Sequence, residues 1–346
     1  MNHAGVVEAI APGKHKALGL SAEQLLEMYF KMLLTRALDE RAWALNRQGK
    51  LPIVGASTGH EAAQTGAAMA MDRGRDLFFP YYRDICLLLT VGVTAQEMML
   101  GFWAKAGNPL SGGRQFPTHG AYPKYRIYNI SNVVGPHGPE AVGAALAAKM
   151  RREPAVVLFC CGDGGTSQGD WHEAMNFAAI HRLPVVFFCE NNALAISVPA
   201  SKQMAVENVS DRAQGYGMPG VTVNGVDPLE VYRAVREAAE RARRGEGPTL
   251  VEAKVERIMP HTSDDDDRRY RSPEELAEAR KRDPIPLFRD YLMAEELLTE
   301  ETDGEYRRRA QAEVDEATEF AEKAPQPDPS TLFDHLWATP PGRKGG

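Results

Sequence analysis

The sequence predicts an α/β fold in which helices flank a mostly parallel central sheet. The clearest support is a βαβ pattern in the middle of the chain, where apolar runs at 155–161 and 184–190 are joined by a polar helical stretch at 170–181. Continuous apolar runs are typical of strands that are buried on both faces, and such strands occur in parallel sheets with right-handed crossovers. Amphipathic periodicity before this unit and another helix and strand after it complete the α/β pattern.

The first elements are predicted from capping signals and helical periodicity. Residues 1–20 are expected to form an N-terminal arm, and a helix is predicted from Ser21, which has the spacing of a capping box with Gln24. Thr58 and Glu61 repeat this spacing ahead of an Ala-rich segment, so a second helix is predicted there.

Later segments complete the predicted organisation. Residues 101–140 are rich in Gly, Pro, Asn and His, which indicates a long ordered loop of the kind that carries function. Asp227 is expected to cap a helix that starts at Pro228, and 249–258 is expected to form a strand. The charged sequence beyond Ser272 is expected to be helical.

The expected domain division is an N-terminal arm at 1–20, one α/β domain at 21–290, and a helical extension with a tail at 291–346. Composition supports an ordinary globular protein, because 43% of the 346 residues are hydrophobic, 25% are charged and the net charge is -7. No signal peptide or apolar window of membrane-spanning length is found, so we expect a cytoplasmic protein. The acidic balance argues against nucleic-acid binding. The four cysteines lie mostly in apolar runs, which argues against a disulfide framework or zinc site.

Polar residues follow both apolar runs of the βαβ unit. The first run is followed by the glycine-rich stretch 162–165, which contains Asp163, and the second is followed by Asn191 and Asn192. Ligands of open parallel sheets bind beyond the carboxyl ends of the strands. Carboxylate and amide oxygens suit Mg²⁺, and glycines let the backbone approach a diphosphate.

Two other interpretations of the glycine-rich stretch fit the sequence less well. A dinucleotide fingerprint requires glycine or alanine at its sixth position, where this chain has Ser167. A nucleotide P-loop is excluded because no GKS or GKT occurs. A simple connecting turn would explain the GDG sequence alone, but the paired asparagines after the next strand favour a binding site.

The pattern of GDG, 26 intervening residues and NN resembles the thiamine-diphosphate signature. The segment GDGGTSQGDWHEAMNFAAIHRLPVVFFCENNALAIS resembles the alpha subunit of the decarboxylating component of 2-oxo acid dehydrogenase complexes. Further segments resemble this family in the same order over residues 50–290, among them PYYRDICLLL, GRQFPTH and HTSDDDDRRYR. The resemblance implies a three-layer thiamine-diphosphate-binding fold and thiamine diphosphate with Mg²⁺ as cofactors.

The resemblance also implies roles for individual residues. Asp163 and Asn192 would bind Mg²⁺ through their side chains, and Leu194 through its main-chain carbonyl. Tyr82 and Arg83 would lie at the diphosphate, where a guanidinium can bind phosphate oxygens bidentately. The other positions that align with the cofactor site are Asn132, Val134, Gly162, Gly164, Gly165 and Glu190, the last of which replaces a frequent arginine.

The implied catalytic and substrate residues lie mostly in loops. His261 would hydrogen-bond the diphosphate end and assist the chemistry, a role suited to a side chain that titrates near neutrality. His119 would lie near the bound 2-oxo acid, together with Tyr82, and Ile53 would line the apolar substrate end. The run Asp264 to Asp267 would belong to a loop that orders over the cofactor and helps dock the acyl-carrier domain.

The implied activity is oxidative decarboxylation of a 2-oxo acid, with acyl transfer to the lipoyl group of a second, acyltransferase component. A beta subunit would complete the site in an assembly of two alpha and two beta chains. A branched-chain substrate, 3-methyl-2-oxobutanoate, is favoured, and pyruvate is the alternative. Functions of a different class are a non-catalytic scaffold subunit and an NAD-dependent oxidoreductase. No membrane partner is expected.

Overall fold

The computed structural model describes residues 9–130, 133–334 and 336–337. The α-helices are α1 (Lys14–Leu18), α2 (Ala22–Arg47), α3 (Glu61–Ala70), α4 (Ile85–Val91), α5 (Ala95–Phe102), α6 (His137–Arg151), α7 (Gly169–Ile180), α8 (Pro228–Arg243), α9 (Pro273–Lys281), α10 (Pro284–Ala294) and α11 (Glu300–Lys323). The strands are β1 (Leu77–Phe79), β2 (Gly120–Tyr122), β3 (Ile127–Ile130), β4 (Val157–Gly162), β5 (Val185–Asn191), β6 (Leu194–Ala195), β7 (Val198–Pro199), β8 (Gly220–Asn224) and β9 (Thr249–Lys254).

The central sheet confirms the predicted fold class. In the described part of the chain it has seven strands in the order β2-β3-β1-β4-β5-β9-β8. Only β2 pairs antiparallel with its neighbour, and the other pairs are parallel. The predicted βαβ unit is β4, α7 and β5, and it lies at the centre of the sheet.

Two helical layers cover the sheet, one on each face. Side chains of β5 alternate between them: Val186 and Phe188 belong to the core that includes α2, α3 and α8, whereas Phe187 and Cys189 belong to the core that includes α6 and α7. All four of these side chains are fully buried. This alternation follows from the two-residue period of a strand and explains why the sequence of β5 is a continuous apolar run.

The capping signals at Ser21 and Asp227 are confirmed. Ser21 Oγ accepts the Gln24 N–H at 3.3 Å, and Gln24 Oε1 accepts the Ser21 N–H at 2.9 Å, so both bonds of a capping box are present. Asp227 Oδ1 accepts the N–H groups of Leu229 and Glu230 at the start of α8. Local capping chemistry is therefore sufficient to place these helix starts.

The capping signal at Thr58 is wrong, although a helix does follow it. Helix α3 begins at Glu61 with His60 at the N-cap position and without a side-chain cap. The Thr58 hydroxyl donates instead to the buried carboxylate of Asp39, at 2.9 Å. A tertiary contact with α2 therefore replaces the local cap, because Asp39 is itself fully buried and requires donors.

The segment 101–140 is more regular than expected. It contains the short strands β2 and β3 and the start of α6, in addition to irregular backbone. The strand prediction at 249–258 is confirmed, with β9 ending at Lys254. The domain division remains a prediction, and its boundary at residue 290 falls inside α10.

No helix among the described residues is long and apolar enough to cross a membrane. The cytoplasmic location expected from the sequence remains a prediction.

Candidate functional site

A cavity of about 350 Å³ lies at the carboxyl edge of the sheet and gathers most of the predicted site residues. The predicted residues that line it are Ile53, Tyr82, Arg83, His119, Val134, Gly162, Asp163, Gly164, Gly165, Asn192, Leu194 and His261. Asn132 lies outside the described residues. Glu190 is not part of the lining.

The turn after β5 places Asn192 and Leu194 beside Asp163. The N–H of Ala193 donates to Asn191 Oδ1 at 2.8 Å, and the N–H of Leu194 donates to Asn192 Oδ1 at 3.2 Å. Ala193 has a φ of 64°, in the left-handed region that residues other than glycine rarely adopt. Such backbone costs about 1–3 kcal/mol and concentrates at functional sites. The paired asparagines therefore fold the chain locally as well as lining the cavity.

Asp163 is buried at the edge of the cavity with little to offset its charge. It is 3% exposed, and Gln203 Nε2 donates to its Oδ2 at 3.1 Å. Burial raises the pKa of this carboxyl to about 6, although hydrogen bonds from Gln203 and the Asn192 backbone act in the opposite direction. A cation bound at Asp163 would offset the cost of burying its negative charge.

The glycines of the stretch 162–165 leave room where side chains would collide. A Cβ on Gly164 would lie 2.7 Å from the Cβ of Ala195, and one on Gly165 would lie 3.0 Å from Val134 Cγ1. Both distances are below ordinary van der Waals contact, so a larger residue at either position would displace a neighbour. Glycine at these positions allows the close backbone approach that a diphosphate needs.

Arg83 also lines the cavity and is held in a buried position. The residue is 2% exposed, and its Nη1 donates to the Ala56 carbonyl at 2.6 Å. Its Nη2 donates to Nδ1 and to the carbonyl of His261, at 3.1 and 3.3 Å. The Arg83 guanidinium lies over the Tyr82 ring, with Arg83 Cζ 5.3 Å from the ring centroid. A buried guanidinium in this position provides fixed positive charge for an anionic group.

His261 is a neutral hydrogen-bond donor in this structure. Arginine cannot accept a hydrogen bond, so His261 Nδ1 must accept from Arg83 and the ring proton must lie on Nε2. Burial and the charges of Arg83 and Arg257 lower the pKa of His261 to about 3, with Asp265 acting in the opposite direction. In the free chain, burial and two guanidinium groups therefore disfavour the protonated ring, and the catalytic role expected for His261 remains a prediction.

His261 belongs to the acidic loop, defined here as residues 260–271, which is tied together through Asp265. Asp265 Oδ2 accepts the His261 N–H at 2.8 Å and also accepts the Tyr270 hydroxyl. Tyr270 Oη in turn accepts from Arg257 Nη2 at 2.8 Å. These side-chain hydrogen bonds act together with backbone hydrogen bonds in the same loop, one of which joins the Ser263 N–H to the Val54 carbonyl at 2.8 Å.

Part of the cavity lining forms an apolar wall. Ile53, Phe102, Phe116 and Val134 contribute to it. His119 lies beside Phe116, with their ring centroids 5.3 Å apart in an edge-on arrangement. The His119 Nδ1 lies 2.8 Å from the Pro117 carbonyl, which can only accept, so the Nδ1 carries a proton. The cavity thus combines polar and charged side chains with apolar ones.

Glu190 faces helix α3 rather than the cavity. Its Oε2 lies 2.6 Å from His60 Nδ1 and accepts from Gln64 Nε2 at 2.9 Å. The position follows from strand alternation, since Glu190 shares its face of β5 with Val186 and Phe188.

Several residues at the site were not found from the sequence. His60 contacts Asn192, Gln203 contacts Asp163, and Arg257 joins the acidic loop, while Phe102 and Phe116 line the cavity. Each meets the site through tertiary contacts, so no local motif identifies it. Strand alternation at β5 was the one signal that could have placed Glu190 away from the cavity.

The oxygen donors of the site fit a hard divalent cation. Asp163, Asn192 and Leu194 line the same cavity, and they could offer a carboxylate, an amide oxygen and a backbone carbonyl. Among the described residues, no group of three or more His, Cys, Asp or Glu side chains is arranged to hold a metal. A set of few oxygens is typical of Mg²⁺ that is also bound by substrate or cofactor phosphates.

Comparison with known proteins gives consistent results along most of the chain. Residues 29–330 match the family described as dehydrogenase E1 component. The chain is 51% identical to the 2-oxoisovalerate dehydrogenase subunit alpha of Bacillus subtilis (strain 168), over 95% of this chain and 100% of the relative. It is 40% identical to the 3-methyl-2-oxobutanoate dehydrogenase subunit alpha of Mycobacterium tuberculosis, over 92% of this chain and 84% of the relative. The pyruvate dehydrogenase E1 component subunit alpha of Staphylococcus aureus is 37% identical, over 93% and 84% of the two chains.

Proposed function

Because the chain belongs to the dehydrogenase E1 component family, we propose that it is the alpha subunit of a 2-oxo acid dehydrogenase that acts on 3-methyl-2-oxobutanoate. The observation that carries this proposal is the 51% identity with 2-oxoisovalerate dehydrogenase over 95% of the chain. The compounds 2-oxoisovalerate and 3-methyl-2-oxobutanoate are the same. The apolar wall of the cavity supports a substrate with a branched hydrocarbon side chain.

Enzymes of this family depend on thiamine diphosphate, and this chain shares that dependence. When bound, thiamine diphosphate supplies the carbon nucleophile for the 2-oxo carbon and the electron sink that lets CO₂ leave. Asp163, Asn192 and the Leu194 carbonyl would hold the Mg²⁺ ion that accompanies the diphosphate. Their convergence on one cavity supports this assignment.

The remaining charged groups of the cavity would bind and orient the anionic end of the cofactor. Arg83 provides a fixed guanidinium, and His261 presents the N–H at Nε2 as a hydrogen-bond donor. Gly164 and Gly165 keep side chains away from the path of the diphosphate. Ile53 and Phe116 would contact the substrate's hydrocarbon end, beside His119 and Tyr82, and would exclude water there.

As an E1 alpha subunit, the chain works with a beta subunit and a lipoyl-bearing acyltransferase. We propose that two alpha and two beta chains form the complete component. The beta chain would supply the glutamate that activates the cofactor, so we expect little decarboxylation by this chain alone.

The test is decarboxylation by this chain with and without its beta partner, in thiamine diphosphate and Mg²⁺. We expect activity only in the mixture, with kcat/KM for 3-methyl-2-oxobutanoate at least about tenfold above that for pyruvate, because one methylene in an apolar pocket contributes about 1–3 kcal/mol. A higher kcat/KM for pyruvate would assign the chain to pyruvate dehydrogenase, as the Staphylococcus aureus relative would suggest. Cofactor binding without decarboxylation of either acid would favour a scaffold subunit.

A further inference from the structure

A buried hydrogen-bond chain lies behind Asn192, outside the cavity lining. Asn192 Nδ2 is 3.1 Å from Nε2 of His60, and the His60 Nδ1 is 2.6 Å from Glu190 Oε2. Both His60 and Glu190 are 0% exposed. These hydrogen bonds connect the start of helix α3 and strand β5 to a residue of the candidate metal site.

The directions of these hydrogen bonds follow from one backbone contact. The N–H of Leu194 donates to Asn192 at 3.2 Å, so the accepting atom must be the amide oxygen. The amide nitrogen is therefore the atom that faces His60 Nε2, and this ring nitrogen must accept. The ring proton then lies on Nδ1 and is donated to Glu190. In this single arrangement each of the two contacts pairs a donor with an acceptor.

We propose that His60 is a positioning residue that keeps the amide oxygen of Asn192, rather than its nitrogen, directed to the metal site. The inference rests on the function proposed above. The two ends of an asparagine amide are almost equal in size, so packing alone discriminates poorly between them. The Leu194 N–H already favours this orientation, and an acceptor at His60 Nε2 strengthens the preference, because a rotated amide would place its oxygen against the ring's lone pair.

Glu190 is the anchor of this arrangement. Its carboxylate can only accept when ionised, so it holds the His60 proton on Nδ1 and leaves Nε2 as the acceptor. Gln64 Nε2 donates to the same Glu190 oxygen at 2.9 Å and fixes the carboxylate on helix α3. This is the outer-shell pattern by which proteins orient metal ligands, with an amide in the place of the more usual histidine.

Two substitutions of His60 separate its two hydrogen bonds. In His60→Asn the shorter amide can still donate to Glu190 from the place of Nδ1, but it offers no acceptor at the place of Nε2. In His60→Gln the longer amide can place its oxygen where Nε2 was and can accept from Asn192. His15→Asn is a matched control, because His15 is also a buried histidine, bonded to Tyr291, and does not line the cavity.

The measurement is the apparent Mg²⁺ dissociation constant of the assembled alpha-beta enzyme, determined by calorimetric titration in excess thiamine diphosphate. We expect His60→Asn to weaken Mg²⁺ binding by about 10- to 100-fold, the usual effect of removing an outer-shell partner. We expect His60→Gln to retain most of the affinity and His15→Asn to match the wild type. Saturating Mg²⁺ should restore kcat in His60→Asn, which a general loss of folding would not allow.

The outcomes distinguish this inference from the proposed function. If His60→Asn binds Mg²⁺ as tightly as His15→Asn, or if both His60 variants lose affinity equally, the positioning role is overturned. If the wild-type enzyme binds no Mg²⁺, the proposed function itself fails. A crystal structure of the wild-type enzyme with Mg²⁺ tests the role without substitution: Asn192 Nδ2 should remain within hydrogen-bond distance of His60, and a separated pair would overturn it.

Discussion

The edge of the sheet and the acidic loop close the same cavity, but different kinds of interaction hold them. Gly162 and Asn191 belong to strands whose backbones pair with neighbours along their length. In the acidic loop local backbone hydrogen bonds are combined with side-chain contacts, and Asp265 accepts from both His261 and Tyr270. Strand pairing therefore holds the first region, whereas the second depends in part on a few side-chain hydrogen bonds.

This difference suits the two regions to different roles in binding the metal and the cofactor. A metal ligand must be held in a fixed position. The end of β5 provides one, because the side chains of Asn191 and Asn192 hydrogen-bond to the backbone of the turn that follows. A loop that meets the cofactor after it binds can be less rigid. We therefore expect changes at the sheet edge to abolish cofactor binding and changes in the acidic loop to weaken it.

The largest effect is expected from Asp163→Ala at the sheet edge. This substitution removes the only carboxylate among the three proposed Mg²⁺ ligands, so Mg²⁺-dependent binding of thiamine diphosphate should fall by on the order of a hundredfold or more. The affinity for thiamine diphosphate is measured by titrating the assembled enzyme with cofactor at a fixed Mg²⁺ concentration. Asp170→Ala, at an exposed position in the first turn of α7, is the control. Unchanged affinity in Asp163→Ala would refute the metal assignment.

The next effect is expected from Arg83→Lys, which changes the cavity residue that donates to the acidic loop at His261. Lysine cannot donate to the Ala56 carbonyl and to His261 in the fixed fork of a guanidinium. Charge-assisted hydrogen bonds contribute about 1.5–3 kcal/mol each, so cofactor affinity should fall by about 10- to 100-fold. Arg75→Lys, at a surface ion pair with Asp72, controls for the change of side chain. Equal affinities in the two variants would contradict the role of Arg83.

A smaller effect is expected from Tyr270→Phe in the acidic loop. Loss of the hydroxyl removes the contacts with Asp265 and Arg257, which should loosen the loop and weaken cofactor binding by roughly tenfold. Limited trypsin digestion provides a direct readout, because the side chains of Arg268 and Arg269 in this loop are 82% and 84% exposed.

Cleavage at these arginines should accelerate in Tyr270→Phe and slow again when cofactor is added. Tyr306→Phe removes a hydroxyl in α11, outside the cavity lining. This control should leave both the rate of trypsin cleavage and the affinity for the cofactor unchanged. If Tyr270→Phe is cleaved no faster than Tyr306→Phe, the hydroxyl does not hold the loop, and the contrast between the two regions loses its main support.

The same contrast explains what could be predicted from the sequence. The strands and Asp163 were found because buried strands have a local apolar signature and the residues that follow them must meet at one sheet edge. Thr58 was assigned a local cap, but its hydroxyl serves the buried Asp39, which lies on another helix. His60 gave no signal because its partners, Asn192 and Glu190, are brought to it only by the packing of α3 on the sheet.

His261 shows the same limit in its chemistry. Its position in the acidic loop was inferred from the resemblance of the surrounding segment, and it does line the cavity. Its protonation depends on Arg83 and Arg257, which approach from other parts of the chain. Local sequence can identify a histidine, but the charges that set its pKa are tertiary.

The smallest expected effect concerns stability and pH, and it tests whether the charges around His261 act as the structure indicates. The pKa of His261 is about 3 in the folded chain, lowered by burial, Arg83 and Arg257 and raised in part by Asp265, against 6.5 for the ordinary side chain. Below about pH 6.5 the unfolded chain therefore binds a proton that the folded chain does not, and the free energy of unfolding falls as the pH decreases. Above that pH His261 contributes no such dependence.

Thermal melting of the cofactor-free complex at about pH 7.5 and about pH 5 measures this dependence. His261→Gln should show a smaller fall in melting temperature between the two pH values than the wild type. The fall should not vanish, because burial also lowers the pKa of His60 and His137. His181→Gln, at an exposed position, should behave as the wild type. An identical fall in wild type and His261→Gln would mean that the loop moves His261 away from Arg83 in solution, so that the acidic loop would be less ordered than the contacts of Asp265 indicate.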